Sequence, residues 1–279
     1  MDPSLVIGLV LAFGSVFAIV TLEGAHIGSL LLPPPMILVF GATIAVGIAG
    51  NTIKDSLRAF KAVPKAFTGK APAPQESIEQ IIRLAEKARA EGLLALEAEA
   101  TETKDPFLSQ ALQNVADGTD PEELRILMED QIGTRARSDH SDSKFFAALG
   151  GYAPTMGIVG TVVSLTHVLE NLSNPDELGP MIASAFVATL WGLLSANFIW
   201  LPLSARIARL SELEIERMTI VMEGVLAVQS GAQPLLLADR LRAMVPEPGK
   251  PDAKGGKGGK DGKGGKGGKY AKDKAKAAA

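Results

Sequence analysis

The feature that most constrains this chain is a pair of long apolar runs without a single formal charge, Phe145 to Leu169 and Met181 to Leu203. Each exceeds the about 20 residues that a helix needs to cross the hydrocarbon of a bilayer. A polar stretch separates them, Glu170-Asn171-Leu172-Ser173-Asn174-Pro175-Asp176-Glu177. Gly, Ala, Ser, Thr and Pro punctuate both runs, which therefore read as a packed pair of membrane helices with polar atoms turned inward.

Two more apolar runs lie near the N-terminus. Leu5 to Leu22 follows Met-Asp-Pro-Ser; Asp2 has the wrong sign for a signal peptide and the run is too long, so a retained helix is expected. Pro33-Pro34-Pro35 stops any continuation of that helix, and Met36 to Ile53 forms a second run rich in glycine. Lys54, Arg58, Lys61, Lys65 and Lys70 come next, whereas 23–35 and 170–180 hold no Lys or Arg. Because cytoplasmic flanks carry the excess of Lys and Arg, the large segment and both termini are assigned to the cytoplasm and the two short turns to the outside. Arg206 and Arg209, just past the fourth run, agree. The expected fold is all-α: a polytopic membrane protein with four transmembrane helices and a helical cytoplasmic domain. Its parts are a hairpin at 1–53, an insertion at 54–144, a second hairpin at 145–203, a cytoplasmic extension at 204–245 and a tail at 246–279.

The insertion has helical periodicity and no strand-like alternation. Ala71-Pro72-Ala73-Pro74 is a stiff linker. Ile78, Ile81, Ile82, Leu84, Ala85 and Ala88 then recur at three- and four-residue spacing, the pattern of an amphipathic helix. Gly92 interrupts before a stretch from Leu93 to Thr103. Asp105-Pro106 and Asp120-Pro121 each set a capping residue before a first-turn proline, starting helices at Phe107 to Ala116 and Glu122 to about Arg137. After Pro202 the period continues through Val225, so the fourth helix is expected to run deep into the cytoplasm. Gly231 to Pro234 breaks it, and Leu235 to Met244 is a last short helix. The tail holds ten Lys against four acids, a charge of +6 that leaves about −9 on the rest of a chain of net charge −3. Such a segment has nothing to bury and is expected to be disordered, near anionic lipid headgroups rather than nucleic acid.

Composition narrows the chemistry. Cysteine is absent, so there is no disulfide, thiolate site or Cys nucleophile. The three histidines (His26, His140, His167) are too scattered for a metal site, and aromatics at 5% are too few for a nucleic-acid stacking surface. Gly157-Ile158-Val159-Gly160-Thr161 lacks the lysine of a phosphate loop and lies in an apolar run, so close helix packing is the better reading. No enzyme and no cofactor is expected. Thr155, Thr161 and Ser164 lie in the third run; Ser184, Thr189 and Ser195 lie in the fourth. Thr161 and Thr189 come out at similar depth, so both could face one polar path; the alternative is that each hydroxyl bonds a carbonyl of its own helix. Pro154 and Pro202 both fall in the cytoplasmic part of their runs, where a proline frees a carbonyl and bends a helix. No run contains a carboxylate, although ion-translocating proteins usually need an ionisable group in the path. Any acid in the path must then come from a second polypeptide.

Together, this topology and Gly150-Gly151-Tyr152-Ala153-Pro154-Thr155-Met156-Gly157-Ile158-Val159-Gly160-Thr161 resemble the MotA family of flagellar stator subunits, within the MotA/TolQ/ExbB proton channel superfamily. The resemblance covers Leu5 to about Gly231 and leaves out the Gly-Lys tail. It implies a protein of the bacterial cytoplasmic (inner) membrane whose subunits form a pentamer around a MotB-like partner. That partner supplies a single span with the essential Asp and a peptidoglycan-binding domain. Ion passage would drive the cytoplasmic face against the rotor protein FliG, converting ion-motive force into flagellar rotation. By the same resemblance Arg89 and Glu97, eight apart in the first cytoplasmic helix, would contact the rotor. Pro154 and Pro202 would couple the motion, and Thr155, Thr161 and Thr189 would line the channel. The coupling ion is H+ or Na+, with protons favoured. The alternatives are a TolQ/ExbB-like energiser of another envelope or defence system, and a membrane scaffold that conducts nothing.

Overall fold

The computed structural model describes residues 3–24, 26–69 and 73–245; the tail expectation falls outside them. Among the described residues every regular element is helical. The N-terminal hairpin is α1 (Ser4–Leu22), a 3-10 turn at Ile27–Leu30 and α2 (Pro33–Ala49). The three prolines open α2 rather than precede it, because first-turn N–H groups have no helical partner in any case. Gly50 ends α2, and Thr52 caps α3 (Ile53–Thr68) by accepting from the Asp55 N–H at 3.1 Å. This third helix was read from the sequence only as a basic flank. Its buried face is built of small residues, Ser56, Ala59 and Ala66, which give little hydrophobic signal.

The insertion continues with α4 (Pro74–Glu91), α5 (Leu96–Glu102) and α6 (Pro106–Ala116). Asp105 and Asp120 cap as expected: Asp105 accepts from the Phe107 N–H at 3.0 Å, and Asp120 from the Glu122 N–H at 2.9 Å. The helix that starts after Asp120 does not stop near Arg137. It is α7 (Pro121–Glu170), a rod of 50 residues, about 75 Å long at the rise of an α-helix. The polar segment 138–144 looked like a gap but contains no Gly or Pro to break the helix, and its polar side chains find partners on neighbouring helices. α8 (Pro175–Leu194) passes through a π-helical segment, Ser195–Trp200, into α9 (Leu201–Gln229), so the fourth helix does extend far beyond the apolar run. After a turn at Gly231, α10 (Pro234–Ala243) packs back on α9 and α4.

Two cores organise these helices. One joins α4, α5, α6 and α10 to Leu124 and Met128 of α7 and to Met218–Val228 of α9. The other gathers Phe145, Phe146, Leu149 and Ala153 of α7 with Trp200, Leu203 and Ile207, and Phe40 of α2 and Phe60 of α3 pack against it. Among the described residues three helical stretches are long and apolar enough to cross a membrane, α1, α7 and the α8–α9 run, while α2 is apolar but shorter at 17 residues. The described residues thus form an all-helical protein with several membrane-span candidates.

Candidate functional site

Glycine brings α7 and α8 into backbone contact. A Cβ on Gly192 would lie 2.8 Å from the Ala153 carbonyl and 2.9 Å from the Cα of Gly157. A Cβ on Gly157 would in turn lie 3.0 Å from the Ala188 carbonyl. The Gly-x-x-Gly stretch is therefore a helix-packing surface, as its place in an apolar run suggested.

At that contact the structure brings Thr161 and Thr189 together, hydroxyl to hydroxyl. Thr161 Oγ1 also lies 3.1 Å from the Gly157 carbonyl of its own helix and 3.1 Å from the Ala185 carbonyl of α8. Each hydroxyl has one proton. When Thr161 donates to a carbonyl, Thr189 donates to Thr161 Oγ1, and lone pairs on the Thr189 oxygen stay free to accept. Both residues are half-buried, so the pair is reachable from one side. Thr155 is not part of this pair. It is exposed on another face of α7, and its hydroxyl donates to the Tyr152 carbonyl at 2.6 Å. Ser195 is buried and donates to Gly192 within its own helix.

Pro154 sits half-buried inside the continuous helix α7, and Pro202 lies in the first turn of α9 directly after the π-helical segment. The wider turn is a physical answer to Pro202, whose ring crowds the carbonyl four residues back. Pro202 was legible from the residues alone, whereas this register change was not. The two prolines lie in neighbouring layers, because a Cβ on Gly150, one turn before Pro154, would meet Leu201 Cδ2 at 2.6 Å.

Below the prolines, three links that sequence reasoning missed tie α7 down. Ser143 Oγ donates to the Ser204 carbonyl at 3.0 Å and Ser204 Oγ to the Ser143 carbonyl at 2.8 Å, locking α7 to α9. Arg58 Nε of α3 donates to Asp142 Oδ1 at 2.9 Å while its other arm reaches Asp55 at 2.9 Å. Burial pushes the Asp142 carboxyl above the usual carboxylate range, and the Arg58 hydrogen bond opposes that shift. Only the polar letters of 138–144 could have signalled these links, and they name no partner.

Arg89 and Glu97 are both exposed and, among the described residues, make no ion pair. They do not share a helix: Arg89 ends α4 and Glu97 starts α5, with Gly92 at φ +87° and a 3-10 turn between. The family resemblance implied one helix for both, whereas the interruption read at Gly92 is what the structure has: only glycine adopts that backbone readily, and the chain turns there. Lys87 and Glu99 pair at 2.7 Å across the reversal and fix the two helix ends against each other.

The MotA/TolQ/ExbB proton channel family matches residues 99–220, and the Motility protein A N-terminal family matches residues 6–92. Motility protein A of Bacillus subtilis is 32% identical over 251 residues, covering 88% of this chain and 92% of its own length. This chain belongs to the MotA/TolQ/ExbB proton channel family. Solved structures carry the likeness to three dimensions. MotAB of C. jejuni superposes with a TM-score of 0.84 at 27% identity, covering 89% of this chain and 97% of that one. The flagellar MotAB stator complex of Bacillus subtilis gives a TM-score of 0.80 at 30% identity, covering 87% and 96%. For a member of a proton channel family, the charge-free spans and the paired hydroxyls become the features to explain.

Proposed function

We propose that this chain is the membrane subunit of a flagellar stator, which joins a MotB-like single-span partner and turns ion flow into torque on the rotor. The observation that carries the reading is the Thr161–Thr189 hydroxyl pair at a glycine-built helix contact, in spans that contain no carboxylate. A hydroxyl pair can relay or ligate an ion but has no titratable charge at neutral pH, so the partner supplies the acid. In this reading α2 also crosses the membrane, as the second of four spans: its 17 residues reach about 26 Å, short of a hydrocarbon core of about 30 Å by a margin that bilayer thinning absorbs. Both termini lie in the cytoplasm of a bacterial inner membrane. The subunits ring the partner as a pentamer, and Thr155, on a face that α8 leaves open, looks toward the partner's span.

Pro154 and Pro202 form the coupling hinge between this path and the long cytoplasmic arms of α7 and α9. Arg89 and Glu97 meet the rotor protein FliG, as unpaired charges at a tight reversal can. Exposed charges attract at a distance yet hold weakly per contact, which suits a surface that engages and releases repeatedly. The coupling ion is the proton.

The test is complementation. The chain is expressed with its single-span partner in a motile strain deleted for its own stator. Restored swimming that a protonophore stops, and that persists when sodium is replaced by potassium, is the expected result. No swimming with both subunits in the membrane overturns the stator reading, and dependence on sodium overturns the choice of ion.

A further inference from the structure

One face of α3 is spent on the protein and the other is not. Ser56, Ala59 and Ala66 are buried, and the helix packs on α7 and α9. Phe60 meets Phe145 and Phe146 at ring distances of 5.4 and 5.9 Å, Arg58 holds Asp142, and Arg206 of α9 donates to the Ala66 carbonyl at 3.4 Å. Phe145 opens one long apolar run and Leu203 closes the other. The Ser143–Ser204 bonds set those two ends level. Helix α3 therefore crosses α7 and α9 where charge-free sequence gives way to charged sequence. Only Gly50, Asn51 and Thr52 separate it from α2.

The outward face has two sectors. At about 100° per residue, Ile53, Leu57 and Pro64 fall within about 40° of one another, and Lys54, Lys61 and Lys65 fill an arc of about 40° next to them. Ile53 is 71% exposed and Leu57 57%, with Phe67 at 37% on the side away from the lysines. All three lysines are exposed and make no ion pair among the described residues. The one acid of α3, Asp55, is already engaged by Arg58 and Thr52. Three cations thus stand unmatched beside an apolar strip that water does not favour. A helix of that composition lies in the boundary between headgroups and acyl chains, held by apolar burial and by attraction to anionic lipid. Lysine suits the edge of such a strip, because its stem covers apolar surface while its ammonium reaches the polar layer.

We propose that the outward face of α3 is a binding site for anionic phospholipid. Ile53, Leu57 and Phe67 enter the acyl chains of the inner leaflet, and the ammonium groups of Lys54, Lys61 and Lys65 meet the lipid phosphates. A bilayer surface supplies an apolar layer and an anionic layer side by side, at the level where the neighbouring helices leave the hydrocarbon. The inference rests on the membrane placement in the stator reading above.

The chain contains no cysteine, so a single introduced cysteine carries a nitroxide at a chosen place. The complex with a cysteine-free partner is set in vesicles of phosphatidylcholine and phosphatidylglycerol. Each label is then probed with oxygen, which concentrates in acyl chains, and with a water-soluble nickel chelate. Leu57→Cys is expected to favour oxygen, as Leu11→Cys of α1 does, while Leu94→Cys, 69% exposed on the insertion, favours nickel. A Leu57 label that favours nickel overturns the proposal. So does one closed to both reagents, which means that a second copy or another protein covers α3. If the Leu11 label does not favour oxygen, the membrane reading has failed and the lipid site falls with it. Charge is tested on the solubilised complex by titration with short-chain phosphatidylglycerol, read at the Leu57 label so that lipid on the tail does not count. Lys54→Gln, Lys61→Gln and Lys65→Gln are each expected to weaken binding about fivefold, and the corresponding changes to Arg to preserve it. Affinity unaltered by all three Gln changes overturns the site, as does equal affinity for short-chain phosphatidylcholine. Glycerol phosphate that binds as tightly as the lipid overturns it too, since the acyl chains then contribute nothing.

Discussion

At the scale of single residues, the hydroxyl pair and the prolines have different physical roles. Thr161 and Thr189 are bonded to each other and to carbonyls at rest, so they stabilise the contact of α7 with α8 while keeping lone pairs available. Pro154 contributes a missing N–H. Pro154→Leu supplies that N–H and keeps an apolar surface, so the helix straightens without losing its packing. We expect normal assembly and no rotation, read as full membrane levels of complex in cells that do not swim. Swimming at the parental speed contradicts the hinge assignment. Similar depth along the two helices allowed Thr161 and Thr189 to face each other but left open a bond from each hydroxyl to its own helix, and Thr161 makes both contacts. Nothing in the sequence separated Thr155 from them, because which face of a helix turns to which neighbour is fixed by packing.

At the scale of elements, α7 is the axis on which α2, α3, α8 and α9 pack. Its continuity across 138–144 depends on partners far away in sequence, Arg58 and Ser204. Arg58 is 41% exposed, whereas the Asp142 side chain is 6% exposed. Removing the arginine strands a buried carboxylate, while removing the carboxylate leaves an arginine that still has water and Asp55. Arg58→Ala is expected to cost about 3 kcal/mol and Asp142→Asn less than about 1 kcal/mol, measured by melting of the solubilised complex. The pH dependence follows from the raised Asp142 carboxyl. Its folded value lies above its unfolded one, so protonation favours the folded chain. That contribution is fully present below the unfolded value of about 3.9 and is lost as pH rises through the folded value. The Arg58→Ala deficit therefore shrinks on acidification and grows toward neutral pH; a deficit that does not change with pH sinks the assignment.

At the scale of the whole molecule, charge is kept out of the apolar runs and gathered on the helical segments outside them and on the tail. Both hydrophobic cores lie before residue 246, so truncation after Val245 is expected to leave folding and assembly intact. The same truncation removes a charge of +6 and should weaken binding to vesicles rich in anionic lipid, most visibly at low salt. Unchanged vesicle binding contradicts a role for the tail at headgroups.

Apolar length, the position of Lys and Arg, and proline and glycine punctuation were local signals, and they were sufficient for the helical class, the caps at Asp105 and Asp120 and the long fourth helix. These properties depend on each residue's own preference for lipid, water or a backbone angle. The 50-residue length of α7, the reversal between Arg89 and Glu97 and the π-helical turn before Pro202 were decided by tertiary structure alone. Each depends on which distant side chain fills or leaves empty the space beside a helix, and that choice is made only when the helices pack.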